Sequence, residues 1–437
     1  MKPAKPASAT MNEQTFVPAS MRALYYSLMP TSDPALTGAG AIPDGPSTTT
    51  TISTETDTGL GKGLVLDMTF PTPQPSGHQY LLKNQAAAFC HDELRLSATL
   101  NPAKTTPQVP LHSLCGTVIS TPAEDHARES GPRFKIGDVV FGLVSYTRDG
   151  GAADYTLATE EEIALKPANI TAAEAAALAL PALTAWQALF RYAGLDPDAP
   201  GNGNGHAQNG HKNGNGNGNG NGHSNGNGWR HKKLPPLRVL ITNARDSEVG
   251  RIAVQLLRAN KLFPASVRPW LCVSCTAAEE AIVRRDWDVD EVLVIPHLPT
   301  QPECDLGSMF RDRRWGPVDM VLDCAGGEVF RQAHAASVVK DYGAVLTAVD
   351  ARPAQEPTAA AEQDPSTQRK RGLRSRFVPV NPDGAALARI GGLVEEHMVR
   401  GREETVVDLV DAAGLLMAGA AGTAGGRRGG MMVVRVN

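Results

Sequence analysis

The chain has 437 residues, enough for two domains with complete cores. Its 42 basic and 46 acidic side chains leave a formal net charge of −4, which excludes a general electrostatic drive toward nucleic acid or anionic membrane. The six cysteines show no zinc-finger spacing, so buried free thiols in a reducing compartment are expected.

Residues 1–20 lack an apolar signal core and read as a disordered N-terminus, with the cytoplasm as the default location. The stretches "MRALYYS", "KGLVLDMTF", "QYLLKNQAAAF", "LCGTVIST" and "GDVVFGLVS" are short and strand-like, with turn residues between them. They predict a β-rich domain with a partly closed barrel over residues 21–167, interrupted by a low-complexity insert at 32–62. No apolar run reads as a membrane span. "TAAEAAALALPALTAWQALFRYAG" is rich in Ala and Leu, and Pro181 predicts two helical pieces around a turn, because proline brings no N–H to the helix ladder. Residues 199–233 are Gly/Asn-rich and have almost no side-chain area to bury. They read as a dispensable loop whose His206, His211 and His223 are solvated rather than metal ligands.

From "LRVLITNA" onward, strands and helices alternate through "WLCVSCT", "AEEAIVRRDW", "DEVLVI", "VDMVLDCAG", "EVFRQAHAASVV" and "GAVLTAV". Near-continuous apolar strands between helices predict a parallel sheet covered on both faces, over residues 168–400. Residues 351–376 read as a disordered loop whose basic end, "QRKRGLRSR", is solvated before the strand "RFVPV" and the helix "PDGAALARIGGLVEEHMVR". Residues 401–437 end in "MMVVRVN", a strand expected to return to the first domain. The fold class is therefore α/β: a β-rich domain plus a doubly wound parallel-sheet domain.

The stretch "VLITNARDSEVGRIAVQLLRAN" reads as strand, tight turn and helix. Val249, Ile252, Ala253, Leu256 and Leu257 fall on one helical face. Gly250 sits one turn in, where a missing side chain lets the helix lie close to the strand. Asp246 or Ser247 can cap the N-terminus. Free N–H groups and a positive dipole end make that turn an anion site in principle, although two of the three usual glycine positions hold other residues.

Five stretches occur in order: "FKIGDVVFGLV", "GGAADYTLATEEEIALKPANITAAEAAALALPALTAWQALF", "VLITNARDSEVGRIAVQLLRA", "VDMVLDCAGG" and "RFVPVNPDGAALARIGGLVEE". Together they closely resemble the medium-chain dehydrogenase/reductase superfamily, in its quinone oxidoreductase-like or enoyl reductase-domain branch, over most of residues 65–437. The resemblance implies a GroES-like substrate domain, a Rossmann domain for NAD(P)H, and a cleft between them. The family turn resembles A-x-x-G-x-V-G; here it is Ala244, Arg245, Asp246, Ser247, Glu248, Val249 and Gly250. A carboxylate at Glu248 is unfavourable beside a diphosphate unless it points to solvent. The cofactor-binding positions implied are Thr184, Ala244, Ser247, Val249, Gly250, Cys275, Thr276, Cys324 and Ala325.

Zinc alcohol dehydrogenases of the superfamily draw their ligands from C-H-x-D-like, G-H-E and C-x-x-T stretches. Here "CHDEL" supplies Cys90 and His91, and "PLHSLCG" aligns His112 but puts Ser113 where the glutamate belongs. Thr184 aligns with the threonine, and three residues back stands Pro181 rather than cysteine. Cys90 and His112 are two zinc-like positions where a site needs three or four ligands. Neighbours on a strand face opposite ways, so His91 and Glu93 are poor substitutes for the missing ligand beside Cys90. A zinc-free protein is expected.

Without zinc, alcohol oxidation loses its Lewis acid, whereas reduction of an activated C=C bond or a quinone needs only hydride and hydrogen-bond donors. Tyr146 and Tyr155 are candidate proton donors, Asp154 and Lys166 read as structural, and no catalytic acid is assigned. The expected partner is a small-molecule substrate, with no nucleic acid and no membrane, and a homodimer is compatible. NADPH is expected over NADH, because "WLCVSCTAA" ends in Ser274, Cys275, Thr276 and Ala277 with no acid to hold a ribose diol, and Arg284 or Arg285 lies nearby; Glu279 and Glu280, a few residues on, weigh against it. A zinc alcohol dehydrogenase and a catalytically silent dinucleotide-binding or scaffold protein stay open beside this reading.

Overall fold

A computed structural model describes residues 17–26, 64–89, 107–122, 131–196, 198, 236–295, 305–349, 371–402, 405–420 and 431–437. The expectations for residues 1–16, for the 32–62 insert, for the Gly/Asn tract, and for Cys90, His91 and Glu93 lie outside them. The chain builds two main sheets, each with a core of its own and a third core shared between them, and has a two-domain α/β fold.

Strands β1 (Ser20–Tyr25) and β2 (Val65–Pro71) form an antiparallel pair. Arg22 ties the pair to the barrel through two bonds to Asp154, from Nε at 3.1 Å and from the guanidinium at 2.8 Å, so Asp154 is structural as expected. The longest strand, β3 (Gln79–Phe89), organises the larger antiparallel sheet. One edge pairs with β4 (Ser113–Ser120), which continues to β5 (Val139–Leu143) and β7 (Ile163–Leu165). The other edge is divided: Gln79–Lys83 takes β6 (Tyr155–Thr159), and Ala86–Phe89 takes a strand from the far end of the chain. Ala86 and Ala88 of β3 leave a low surface on which a helix can lie.

That helix is α1 (Ala172–Trp186), which Thr171 and Glu174 open with a reciprocal capping box. It continues past Pro181 and runs into a π-helical turn at Gln187–Tyr192. The expected break at Pro181 does not occur. An interior proline costs a helix about 3 kcal/mol through its missing N–H and ring clash. Here Ser113 of β4 repairs the damaged turn. Its hydroxyl accepts from the Leu180 amide at 3.2 Å and donates to the Ala176 carbonyl at 2.6 Å. Those two groups would bond each other directly in an undisturbed helix. The segment Ala172–Tyr192, 21 residues with a mean hydropathy of 1.2, is long and apolar enough to cross a membrane, contrary to the sequence expectation. Every residue from Ala175 to Trp186 is nevertheless buried, so the apolarity belongs to a core helix.

The second sheet is wholly parallel. It contains β8 (Arg238–Ile241), β9 (Trp270–Cys275), β10 (Glu291–Val294), β11 (Val318–Asp323), β12 (Val339–Thr347) and β13 (Arg374–Phe377), in the order β10-β9-β8-β11-β12-β13. Helices α2 (Glu248–Arg258), α3 (Glu280–Asp286), α4 (Leu306–Asp312), α5 (Gly327–Gln332) and α6 (Gly384–Glu395) connect or follow these strands. Strand β14 (Thr405–Asp408) and helix α7 (Ala412–Ala420) precede β15 (Met432–Arg435). β15 pairs with β3, so the tail returns to the first sheet as expected.

Two expectations need correction here. The helix expected over "EVFRQAHAASVV" stops at Gln332, and the chain turns through His334 into β12. Residues 371–376 are not a solvated loop. Arg371 donates to the carbonyls of His334 and Val339, Arg374 donates to Ala193 O at 2.9 Å, and Arg374–Phe377 pairs with β12. The corner is closed by His334, buried with Nδ1 2.9 Å from Phe330 O and Nε2 2.7 Å from the Ser375 hydroxyl. A carbonyl beside Nδ1 requires the proton there, which leaves Nε2 to accept from Ser375.

Burial holds the His334 pKa below the ordinary histidine value. The unfolded chain therefore binds the proton more tightly. The stability contributed by neutral His334 is present above about pH 6.5 and is lost as pH falls from there toward the lowered folded value. Denaturant unfolding of wild type and His334→Gln between pH 5 and 8 should show wild type losing its advantage below about pH 6.5. Parallel curves for the two proteins would contradict a buried neutral imidazole.

Candidate functional site

Strand β8 ends in a turn that its neighbours hold on both sides. The Asn243 amide donates to Ser274 Oγ at 2.8 Å, and the Ala244 amide donates to Ser274 O at 3.1 Å, both on β9. The Asn243 side chain reaches Cys324 O at 3.3 Å, just beyond β11. Asn243 takes φ +47°, a left-handed value that asparagine tolerates better than most residues. Ser247, not Asp246, caps α2 by accepting from the Gly250 amide at 3.2 Å. A Cβ on Gly250 would stand 2.8 Å from Ala244 Cα and 3.1 Å from Ala244 O, so only glycine lets the helix meet the turn this closely. Ala244, Ser247, Val249 and Gly250 thus come together at the positive end of an 11-residue helix, a geometry that fits a diphosphate. Glu248 does not point to solvent. Its carboxylate stands 3.5 Å from Arg402 at 13% side-chain exposure. Burial pushes its pKa up, opposed by the charges of Arg251 and Arg402.

The loop after β11 forms the next wall. Asp323 is fully buried and accepts from Thr242 Oγ1 at 2.7 Å, Thr347 Oγ1 at 2.9 Å, and the amides of Ala325 at 3.2 Å and Gly326 at 3.0 Å. Thr242 Oγ1 in turn accepts from the Cys324 amide at 2.9 Å. One carboxylate therefore fixes the ends of three strands and the loop that carries Cys324 and Ala325. The sequence reading did not single out Asp323; the available signal was an acid closing an otherwise apolar strand. Burial pushes the Cys324 thiol up to about 12 and the Cys275 thiol up to about 11, so neither is a nucleophile near neutrality.

At the end of β9 the structure departs from the sequence expectation. An acid does stand there. Glu279 folds back and accepts from the Thr276 amide at 3.0 Å and the Thr276 hydroxyl at 2.8 Å. Its other oxygen lies 3.7 Å from Arg245 Nε, in the phosphate turn. The two arginines expected nearby are engaged elsewhere, Arg284 with Glu280 at 2.8 Å and Arg285 with Asp286 at 2.7 Å.

On the substrate side, Thr184 is buried on α1, and its hydroxyl donates to Leu180 O at 2.8 Å. His112 is buried, with Nε2 3.1 Å from Arg148 O and its ring 4.4 Å from that of Tyr146. Tyr146 belongs to the core that α1 shares with the parallel sheet, whereas Tyr155 packs in the barrel core, beside a cavity lined by Met21, Phe70 and Val109. Lys166 is spent on the carbonyls of Pro167 and Ile170, as expected of a structural lysine. Of the zinc-like positions, His112 lies against Arg148 O and Cys90 lies outside the described residues. Ser113 is committed to α1, Pro181 offers no donor, and among the described residues no three His, Cys, Asp or Glu side chains gather as a metal centre.

Asp323→Ala should lower the unfolding free energy by about 3 kcal/mol, because three buried donors and one part-buried donor lose their acceptor. Gly250→Ala should cost about 1–3 kcal/mol through overlap with Ala244 and weaken dinucleotide binding more than ten-fold. Chemical denaturation and fluorescence titration check both. Variants as stable as wild type would contradict the geometry.

Residues 305–426 match the family model described as "Zinc-binding dehydrogenase". A protein of Arthroderma benhamiae called "Probable zinc-binding oxidoreductase, mitochondrial" is 30% identical over 330 residues, 75% of this chain and 81% of that one. The "Quinone-oxidoreductase homolog, chloroplastic" of Spinacia oleracea is 33% identical over 132 residues, 30% of this chain and 38% of that one. Two solved structures share the fold: the quinone oxidoreductase from Coxiella burnetii (TM-score 0.57, 19% identity, covering 96% of this chain and 100% of that one) and an alcohol dehydrogenase superfamily protein from Novosphingobium aromaticivorans (TM-score 0.60, 18% identity, 85% and 96%). The chain belongs to the medium-chain dehydrogenase/reductase superfamily, in its quinone oxidoreductase-like branch, and is an oxidoreductase.

Proposed function

We propose that this protein reduces an activated C=C bond or a quinone with NADPH, without zinc. The observation that carries this reading is the fate of Ser113 and Pro181: the hydroxyl is consumed in the helix ladder, and the imino acid has no donor atom. A Lewis-acid route would need a third and fourth ligand that these positions do not supply. Bound nicotinamide supplies the hydride.

The chain's own residues bind and orient. Ala244, Ser247, Val249 and Gly250 receive the diphosphate at the α2 N-terminus. Thr276 lies at the adenosine end, beside Cys275, which ends β9. Cys324, Ala325 and Thr184 line the nicotinamide, with the Thr184 hydroxyl fixed by Leu180 O. Glu248 would repel a diphosphate in isolation; the charges of Arg251 and Arg402 oppose that repulsion in part. The substrate is a small molecule. A reducing compartment, the cytoplasm in the first instance, suits the free buried thiols of Cys115, Cys272, Cys275 and Cys324.

NADPH consumption across a panel of enones, quinones and enoyl thioesters tests the reading, together with elemental analysis of protein made in zinc-supplemented medium. Turnover of at least one substrate class, zinc well below stoichiometric, and activity that survives a strong chelator are expected. Near-stoichiometric zinc, or activity lost to the chelator and restored by zinc, would move the protein to the alcohol dehydrogenases.

A further inference from the structure

The ion pair between Arg245 and Glu279 joins two parts of the cofactor site that sequence reading treated separately. Arg245 belongs to the turn between β8 and α2, and Glu279 follows β9. The turn is pinned directly over the end of β9, because the amides of both Asn243 and Ala244 bond to Ser274. In doubly wound folds the end of the second strand is where the adenosine ribose lies, and there an acid favours a diol while a cation favours a 2′-phosphate. This chain places both an acid and a cation at that point.

The two side chains are not equally engaged. Glu279 accepts from the Thr276 amide and hydroxyl, and Asp246 reaches the same carboxylate. Burial raises the Glu279 pKa, but the bonds from Thr276 and Asp246 and the charge of Arg245 outweigh it, so the group remains an anion held on the strand end. Arg245 is held loosely by comparison. Its contact with Glu279 is 3.7 Å, longer than a charge-assisted hydrogen bond, and its buried Nη1 has no hydrogen-bond partner. An arginine with unspent donors beside a satisfied carboxylate is poised to take a second anion.

We infer that Arg245 is the residue that receives the 2′-phosphate of NADPH, with Glu279 as its resident counter-ion, so that this pair sets the preference between NADPH and NADH. The inference rests on the proposed dinucleotide site. It replaces Arg284 and Arg285, whose charges their own helix neutralises. Glu279 acts in the opposite sense: its charge offsets the cation and moderates the affinity for the phosphate.

Equilibrium fluorescence titrations with NADPH, NADH, 2′,5′-ADP and 5′-AMP test this on the full chain, with melting temperatures as a folding control. Wild type should bind NADPH more tightly than NADH, and 2′,5′-ADP more tightly than 5′-AMP. Arg245→Gln should weaken NADPH and 2′,5′-ADP at least ten-fold and change NADH less than three-fold; Arg245→Lys should recover part of the loss. Glu279→Gln should tighten NADPH relative to NADH. If wild type binds neither dinucleotide, the proposed function fails and this inference with it. If both bind but Arg245→Gln weakens them equally, or leaves their ratio unchanged, the site stands and the role of Arg245 is wrong. Tighter binding of NADH by wild type would also overturn it.

Discussion

A single hydroxyl in the ladder of a proline-containing helix is the constraint on which the rest of this molecule depends. Helix α1 is the wall common to both halves. Its alanines lie against Ala86 and Ala88 of β3 and Cys115 of β4, and its far side packs into the cluster that holds Ile252 and Leu256 of α2. With apolar contacts all round, the helix has no solvated face on which frayed amides could find water. A broken turn in such a place must be repaired from within the protein. Ser113 does so from the neighbouring strand, and the repair also fixes the helix against the barrel. The two residues involved occupy positions where zinc-dependent members of the superfamily carry metal ligands. At this corner the serine and the proline form a hydrogen-bonded joint between strand and helix.

The cofactor turn follows a similar logic with charge in place of glycine. Small residues normally let a diphosphate approach the α2 N-terminus. Here Arg245, Asp246, Ser247 and Glu248 crowd that approach, and each is committed to a partner. Ser247 caps the helix, Glu248 is balanced by Arg402 and Arg251, and Arg245 and Asp246 both reach Glu279. Buried ion pairs of this kind contribute little net stability, because desolvation offsets most of the attraction. Their consequence is local geometry: they tie the turn to β9 and to Arg402. Gly250 remains because no charged residue can substitute for the absence of a side chain 2.8 Å from Ala244.

Much of this architecture is legible in the residues themselves. The apolar runs "VLIT", "LCVSC" and "DMVLDC" could be covered only on two faces, and they form the parallel sheet. The return of "MMVVRVN" to the barrel and the contact of Gly250 with its turn were equally readable. What escaped depends on partners distant in sequence. The continuity of α1 rests on a serine 68 positions before the proline (181 − 113). The ordering of Arg371–Arg376 rests on His334 and on carbonyls of β12 and the π-helical turn. Helices α4 and α7 are short and lack a long periodic pattern. Asp323 looks unremarkable in sequence, and its importance comes from the donors that the fold gathers around it.

The joint between Ser113 and α1 is tested most directly by a double-mutant cycle. Unfolding free energies would be measured for wild type, Ser113→Ala, Pro181→Ala and the double variant. With proline present, removing the hydroxyl strands the Leu180 amide and the Ala176 carbonyl and should cost about 1–3 kcal/mol. With alanine at 181 the helix can close its own ladder, and the same removal should cost less than about 0.5 kcal/mol, giving a coupling above about 1 kcal/mol. Equal costs in both backgrounds would show that Ser113 and Pro181 act independently and that the joint does not hold the helix.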